Sequence, residues 1–306
     1  MLPAFLTTVL WAISAVSANR MTRLIGGIEA NFWRITLATL LLAVWAHGFG
    51  QGLSGQAFPY FLLSGFVGFG LGDLALYQAL PRIGSRLSIM IVHCLATPFA
   101  AVTEWWWLGT SLGVIQIGCS ATILLGVSLA LAPSKHLDLT PRKLATGAVY
   151  GAIAGLGQAI GAVLSRKAYQ VADLANEPID GMSAAYQRII AGWVIAALSL
   201  VAVKQGRKWV NGKTSDPFSP FTSDKWRLVW PWIVANALSG PTLGVSCFQW
   251  ALATTATGIV LPIVATTPLV VIPFAKVVEG EQPTRRSLIG GVIAVIGAVA
   301  LTIVAT

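Results

Sequence analysis

The sequence predicts an all-α membrane protein of ten transmembrane helices, arranged as two inverted five-helix repeats. Three observations predict it: apolar runs of membrane-crossing length, landmarks that recur in order between the two halves, and a strong alternation of basic residues between successive loops. With 56% hydrophobic and 10% charged residues and a mean hydropathy of +0.75, the 306-residue chain carries more apolar surface than a water-soluble core can hide. The runs lie near 2–18, 31–47, 58–80, 83–103, 110–132, 146–165, 182–203, 228–252, 257–276 and 285–305. Each is close to the roughly 20 residues that a helix needs to cross a ~30 Å hydrocarbon layer. A porin-type barrel would show short alternating segments instead.

The first run, LPAFLTTVLWAISAVSA, mimics a signal peptide because VSA before Asn19 resembles a cleavage site. No basic segment precedes it, so it reads as a span. Cys94, Cys119 and Cys247 all fall within spans, where thiols serve as small packing residues, and their spacing fits no metal site. Neither a metal nor a cofactor is expected. The net charge of +9 is spread over loops beside membrane helices, which points to anionic lipid headgroups and not to nucleic acid.

The repeat is read from paired landmarks. Phe32-Trp33-Arg34-Ile35 is echoed by Tyr186-Gln187-Arg188-Ile189 at an offset of 154, and Ala96-Thr97-Pro98 by Thr266-Thr267-Pro268 at 170. The offset grows because the polar insert from Lys204 to Asp224 is longer than HGFGQGLSGQ at the matching place. Leu124-Leu125-Gly126-Val127 then matches Val295-Ile296-Gly297-Ala298 at 171. The organisation is a first repeat over 1–133, a connecting loop over 134–145, and a second repeat over 146–306. Five crossings per half is odd, so the second half enters the membrane upside down, as in many secondary transporters.

Orientation follows from Lys and Arg. Loops after odd-numbered spans hold sixteen of them, whereas loops after even-numbered spans hold only Arg166 and Lys167. By the positive-inside rule the odd loops are cytoplasmic and both termini lie outside.

An Arg early in the second helix of each half, a Thr-Pro pair in the fourth and a Gly-studded fifth resemble the EamA branch of the drug/metabolite transporter superfamily. The most specific stretch is PIVATTPLVVIPFAKVVEGEQPTRRSLIGGVIAVIGAVAL, with Pro268 and then Glu281 nine residues before Gly290. In the first half Gly109 stands where Glu281 does in the second, and an acid occurs earlier, at Glu104. The resemblance implies alternating-access transport of small metabolites, often export, across a plasma membrane, the inner membrane in bacteria. Amino acids, amines and nucleotide-like compounds are among the cargoes it implies.

A charged side chain near a helix centre costs roughly 2.5–3.5 kcal/mol on insertion scales, so it needs a partner, a wet cavity or an escape to the interface. Arg34 and Arg188 are expected about 5 Å into their helices, near opposite faces, as gates flanking the substrate or as snorkelling anchors. Asp73 stands in the otherwise apolar LSGFVGFGLGDLALYQAL, with Tyr77 on its face and Gln78 adjacent. It is read as an ion-pair partner, or as a site for a substrate ammonium or a proton. Arg86 and His93 share a face of span four. His93 suits proton coupling or a plain interhelical hydrogen bond. Glu104 heads Trp105-Trp106-Trp107, an aromatic belt in its simplest reading.

Further candidates are Trp11 and Ser14 in span one, Tyr150 and Gln158 on the Gly-rich span six, and Tyr186 beside Arg188. Span eight adds Asn236, Gln249 and Trp250, and span nine adds Thr266 and Thr267 before Pro268. The glycines serve close packing or a cavity face, and Pro98, Pro262 and Pro268 serve as kinks or free carbonyls for a substrate. The expectation is a carrier, monomeric or homodimeric in the bilayer, for a small polar or zwitterionic metabolite. Amino acids, aromatic ones included, come first, with organic amines as the alternative, through a cavity lined by spans one, three, four, six, eight and nine. An intramembrane hydrolase would need a nucleophile such as Ser85 or Ser88 beside His93, and no GxSxG pattern or paired acids support one. A passive channel would show rings of like charge.

Overall fold

The computed structural model describes residues 1–131, 140–211, 223–279 and 285–305. Glu281 and most of the connecting loop at 134–145 lie outside them. The described residues are helical with short links and no strand. The first half contains α1 (Leu2–Ile25), α2 (Gly27–Gly48), α3 (Phe58–Gly65), a π-helical segment (Phe66–Gly72), α4 (Asp73–Leu108) and α5 (Val114–Leu131). The second contains α6 (Pro141–Leu174), α7 (Gly181–Asn211), α8 (Ser223–Ala237), a second π-helical segment (Leu238–Thr242), α9 (Leu243–Thr254), α10 (Thr257–Val264), α11 (Thr267–Glu279) and α12 (Arg285–Ala305).

Six helical stretches among the described residues are long and apolar enough to cross a membrane: Leu2–Ile25, Gly27–Gly48, Phe58–Leu108, Pro141–Leu174, Gly181–Gly206 and Thr257–Val278. One of them, the 51-residue stretch from Phe58 to Leu108, is more than twice the crossing length at ~1.5 Å per residue. Its helical geometry is interrupted at Gly84, with φ 77° and ψ 168°, which divides it close to where the apolar pattern separates spans three and four. The one-residue link between α1 and α2 has nearly the same backbone, with Gly26 at φ 82° and ψ 158°. That region of conformational space is essentially closed to residues with a Cβ.

Expected span nine is also divided. Helix α10 ends at Val264 and α11 starts at Thr267, with Pro268 in its first turn, where a missing N–H does no harm. The Thr266 and Thr267 hydroxyls donate to the carbonyls of Ile263 and Val264, at 2.7 and 2.6 Å, and so satisfy the end of α10.

Packing pairs α4 with α6, α5 with α12 and α2 with α7, while α1 is flanked by α8, α9 and α11. The α2–α3 connection is clasped by the α6–α7 connection and the first turns of α7. Gln187 Nε2 donates to the carbonyls of Gly52 and Ser54, and the Gln56 N–H to Glu177 Oε2 at 2.7 Å. Asp180 caps α7, accepting from the Met182 and Ser183 N–H groups, the Ser183 hydroxyl and Trp45 Nε1. Partial burial pushes the Asp180 carboxyl up, but these hydrogen bonds outweigh it and hold the group below the usual carboxylate range.

A second clasp joins α4, α6, α9 and α10. Glu104, buried, accepts from the Gly258 N–H in the first turn of α10 at 3.1 Å, and its other oxygen lies 3.6 Å from Arg166 Nε. Arg166 Nη1 donates to the carbonyls of Leu252 and Ala253 at the end of α9. An acid therefore meets a helix N-terminus and a base a helix C-terminus, as the helix dipoles favour. The three tryptophans after Glu104 are exposed, as an aromatic belt requires.

Replacing Gly26 or Gly84 by Ala is expected to cost about 1–3 kcal/mol each, because neither backbone accommodates a side chain. Gly118→Ala, mid-helix where an added methyl meets nothing, should not destabilise. Thermal unfolding in detergent measures all three, and unchanged midpoints for the first two would contradict the backbone geometry.

Candidate substrate cavity

A cavity of about 110 Å³ lies between the halves. Its wall takes residues from α1, α2, α4, α6, α7, α9 and both π-helical segments. Most of the wall is apolar. Its titratable side chains are Arg34, Asp73, Tyr77, His93 and Arg188.

Helix α2 places Arg34 seven residues after its first residue, Gly27, which is about 10 Å along the axis. Arg34 pairs with Asp73, the first residue of α4, across an almost dry contact in which their side chains are 6% and 19% exposed. Asn31, one turn earlier, accepts from Arg34 Nε and Nη2 at 3.0 and 2.9 Å. The guanidinium also lies 4.6 Å from the centre of the Tyr77 ring. The Tyr77 hydroxyl donates to Asn236 Oδ1 at 3.1 Å, and Asn236 Nδ2 donates to the Ser14 carbonyl at 2.7 Å and its hydroxyl at 3.1 Å. One polar chain thus ties α2, α4, α8 and α1 together.

His93 of α4 stacks on Trp11, with ring centres 6.0 Å apart and planes at 13°. Its Nδ1 takes the Gln158 Nε2 donor at 3.1 Å, so the neutral ring carries its proton on Nε2. Gln158 is held there by α6, whose Gly157 and Gly161 pack against Gly68 and Gly72 of the first π-helical segment. A Cβ on Gly157 would come within 2.9 Å of the Gly72 Cα, so the two backbones touch.

Arg188 reaches the same cavity from α7, seven residues after Gly181. It is 5% exposed and sits 5.4 Å from the centre of the Phe69 ring. Its Nε has no hydrogen-bond partner, and no carboxylate among the described residues pairs with it.

Of the sequence candidates, Trp11, Ser14, Arg34, Asp73, Tyr77, His93, Gln158 and Arg188 line the cavity. Asn236 stands behind the wall and fixes Tyr77. The others lie elsewhere. Gln78 accepts from Arg82, whose guanidinium covers the Tyr150 ring at 4.9 Å, and Arg86 is not in the lining. Tyr186 bonds His47 at 3.1 Å. Trp250 is 56% exposed, and both amide atoms of Gln249 are buried without a partner. Thr266 and Thr267 serve the α10 terminus, so span nine adds nothing to the lining, whereas spans two and seven do. Both arginines sit deeper than the ~5 Å expected, Arg34 because α2 starts before its apolar run and Arg188 because it already lies well inside the 182–203 run, and they meet one cavity instead of two faces. Sequence reasoning missed Phe69, Phe248, Val245 and Pro241 in the wall, and Asn31, whose three-residue spacing from Arg34 was the available signal.

Long apolar helices around a cavity with buried charges fit a multi-pass membrane protein. The chain belongs to the EamA-like transporter family, whose model matches residues 1–132 and 145–303. A solved structure, titled only "Crystal structure of protein", is similar in fold at a TM-score of 0.72 and 17% identity, covering 99% of this chain and 96% of that one. No curated protein matches the sequence.

Arg34→Gln is expected to destabilise by about 3–5 kcal/mol, because it leaves Asp73 as an unpaired, largely buried charge. Adding Asp73→Asn should restore part of the loss. Midpoints of the four proteins in a double-mutant cycle give the coupling, and purely additive losses would mean that the pair contributes nothing.

Proposed function

We propose that this protein is a secondary transporter that moves a small polar or zwitterionic metabolite through the central cavity by alternating access. The observation that carries the proposal is the cavity itself, walled by helices of both halves and holding buried charges that a purely structural core would avoid.

A ten-helix inverted repeat is the architecture we infer. The two π-helical segments support it, since they end at Gly72 and Thr242, 170 residues apart, the offset that relates Thr97 to Thr267. Helices α2 and α7 likewise begin 154 residues apart, the offset of Arg34 and Arg188. Rocking of such halves about the cavity would expose it to each side in turn. The Glu104–Arg166 clasp would then close the side opposite the basic loops, which the positive-inside rule makes the outer side, along with both termini. Export across a bacterial inner membrane fits the reading. Amino acids are the first cargo class, aromatic ones included, and organic amines the second. His93 remains the candidate for proton coupling.

A hydrolase gains no support from the site. The hydrogen-bond partner of the His93 ring is Gln158 and its stacking partner is Trp11, not a serine.

Counterflow in proteoliposomes tests the function. Saturable uptake of labelled cargo, driven by unlabelled cargo inside, is expected from a screen of amino acids, amines and organic anions. Flux that rises without saturation would instead indicate a pore.

A further inference from the structure

We propose that Arg188 is the anchor for a carboxylate on the transported molecule, so that the cargo is a small organic acid, amino acids among them, and not a simple organic cation. The inference rests on the transporter reading and narrows its substrate class.

Its basis is the contrast between two buried arginines at matching places in α2 and α7. Arg34 has Asp73, Asn31 and the Tyr77 ring. Arg188, equally buried at 5%, makes no hydrogen bond or ion pair among the described residues, lies against the Phe69 ring and keeps an unpartnered Nε, with Asp73 and Tyr169 acting on it only from a distance. A dry guanidinium with no directly paired counter-ion, the nearby Asp73 being held by Arg34, is an unfavourable arrangement, and removing the charge should relieve it. Its persistence in a cavity wall marks a place where the missing partner arrives from outside.

Charge in the wall points the same way. With Tyr77 and His93 neutral, Arg34 and Asp73 cancel and Arg188 leaves one uncompensated positive charge among the lining residues. A cargo with only an ammonium group would need Asp73, which Arg34 already holds. A carboxylate finds in Arg188 a planar fork of donors suited to two parallel hydrogen bonds.

Arg188 lines the cavity with small residues beside its fork. An added Cβ on Gly68 would lie 3.1 Å from Nη2 and one on Gly161 3.4 Å, so glycine backbone makes the floor beside it. Trp11 and Phe248 of the same lining, with ring centres 5.1 Å apart, offer an apolar wall for the rest of the molecule.

The test uses purified wild-type protein, Arg188→Gln, Arg188→Lys and Arg34→Gln. Without ligand, Arg188→Gln should melt at or above the wild-type midpoint, whereas Arg34→Gln should melt below it. Sodium salts of small monocarboxylates and neutral amino acids should raise the wild-type midpoint in a concentration-dependent way, and amine chlorides should not. The apparent affinity should fall at least tenfold in Arg188→Gln and partly recover in Arg188→Lys. Arg188→Gln melting as low as Arg34→Gln, or stabilisation by amines alone, overturns the proposal. Counterflow separates this from failure of the parent reading. Exchange inhibited by amines alone, at wild-type rate in Arg188→Gln, leaves a transporter but removes the anchor. Carboxylate binding lost in Arg188→Gln, with no saturable exchange of any compound, keeps the anchor and removes the transporter.

Discussion

The contact between Arg34 and Asp73 is the constraint from which the middle of the molecule is built. Neither charge is tolerable alone in an apolar interior, so α2 and the start of α4 must stay in register. The requirement spreads outward. Asn31 accepts from Arg34 Nε and Nη2, Tyr77 lies against its face, Asn236 holds the Tyr77 hydroxyl, and Ser14 holds Asn236. Elements far apart in sequence are joined by a single chain of polar contacts, and the cavity forms on one side of it. Hydrophobic contact alone would let these helices slide, since lipid offers leucine as good a neighbour as protein does.

The second half lacks that pair. At the place offset by 170 residues from Asp73 stands Leu243, 44% exposed, and Arg188 is left to the cavity. The two halves therefore differ at the point where a symmetric carrier would be most alike. One arginine is ion-paired across two helices, and the other lies against an aromatic ring with no direct ion pair among the described residues. On the proposal made above, stability would reside in the first half of the site and ligand binding in the second, as expected where binding groups are kept at some cost to the fold.

Much of this was legible in the sequence, and what was not has identifiable causes. Helix type and approximate positions followed from length and hydropathy, and Arg34, Asp73, His93 and Arg188 stood out because charge and imidazole are rare in apolar runs. The depth of Arg34 is hidden in the sequence because α2 begins with residues such as Glu29 that precede the apolar run and are buried by neighbouring helices and not by lipid. The Thr266-Thr267-Pro268 motif looked like cavity lining because hydroxyls next to proline suit a substrate, yet a broken helix leaves its own carbonyls to satisfy and the hydroxyls go there. Tyr150 and Gln158 share a helical face by spacing, but the interior offers His93 to one and Arg82 to the other. Hydropathy and spacing carry no record of such tertiary partners.

The irregular backbone explains why the cavity lies where it does. Inside a bilayer, a helix can depart from regular hydrogen bonding only where protein or an internal cavity takes the place of lipid. Both π-helical segments obey this, since Gly68, Phe69 and Gly72 of the first and Gly240 and Pro241 of the second all face the cavity. A π turn holds an extra residue, which widens the helix and shifts the faces that follow it. In the first half the shift delivers Asp73 to Arg34 at the start of the next α-helical turn, and Gly72 lets α6 come close enough to set Gln158 against His93. In the second half Pro241 lacks an N–H, and the same device delivers Val245 and Phe248 to the wall. Regularising either segment would turn the following residues about the helix axis and remove from the cavity the groups that give it chemical character.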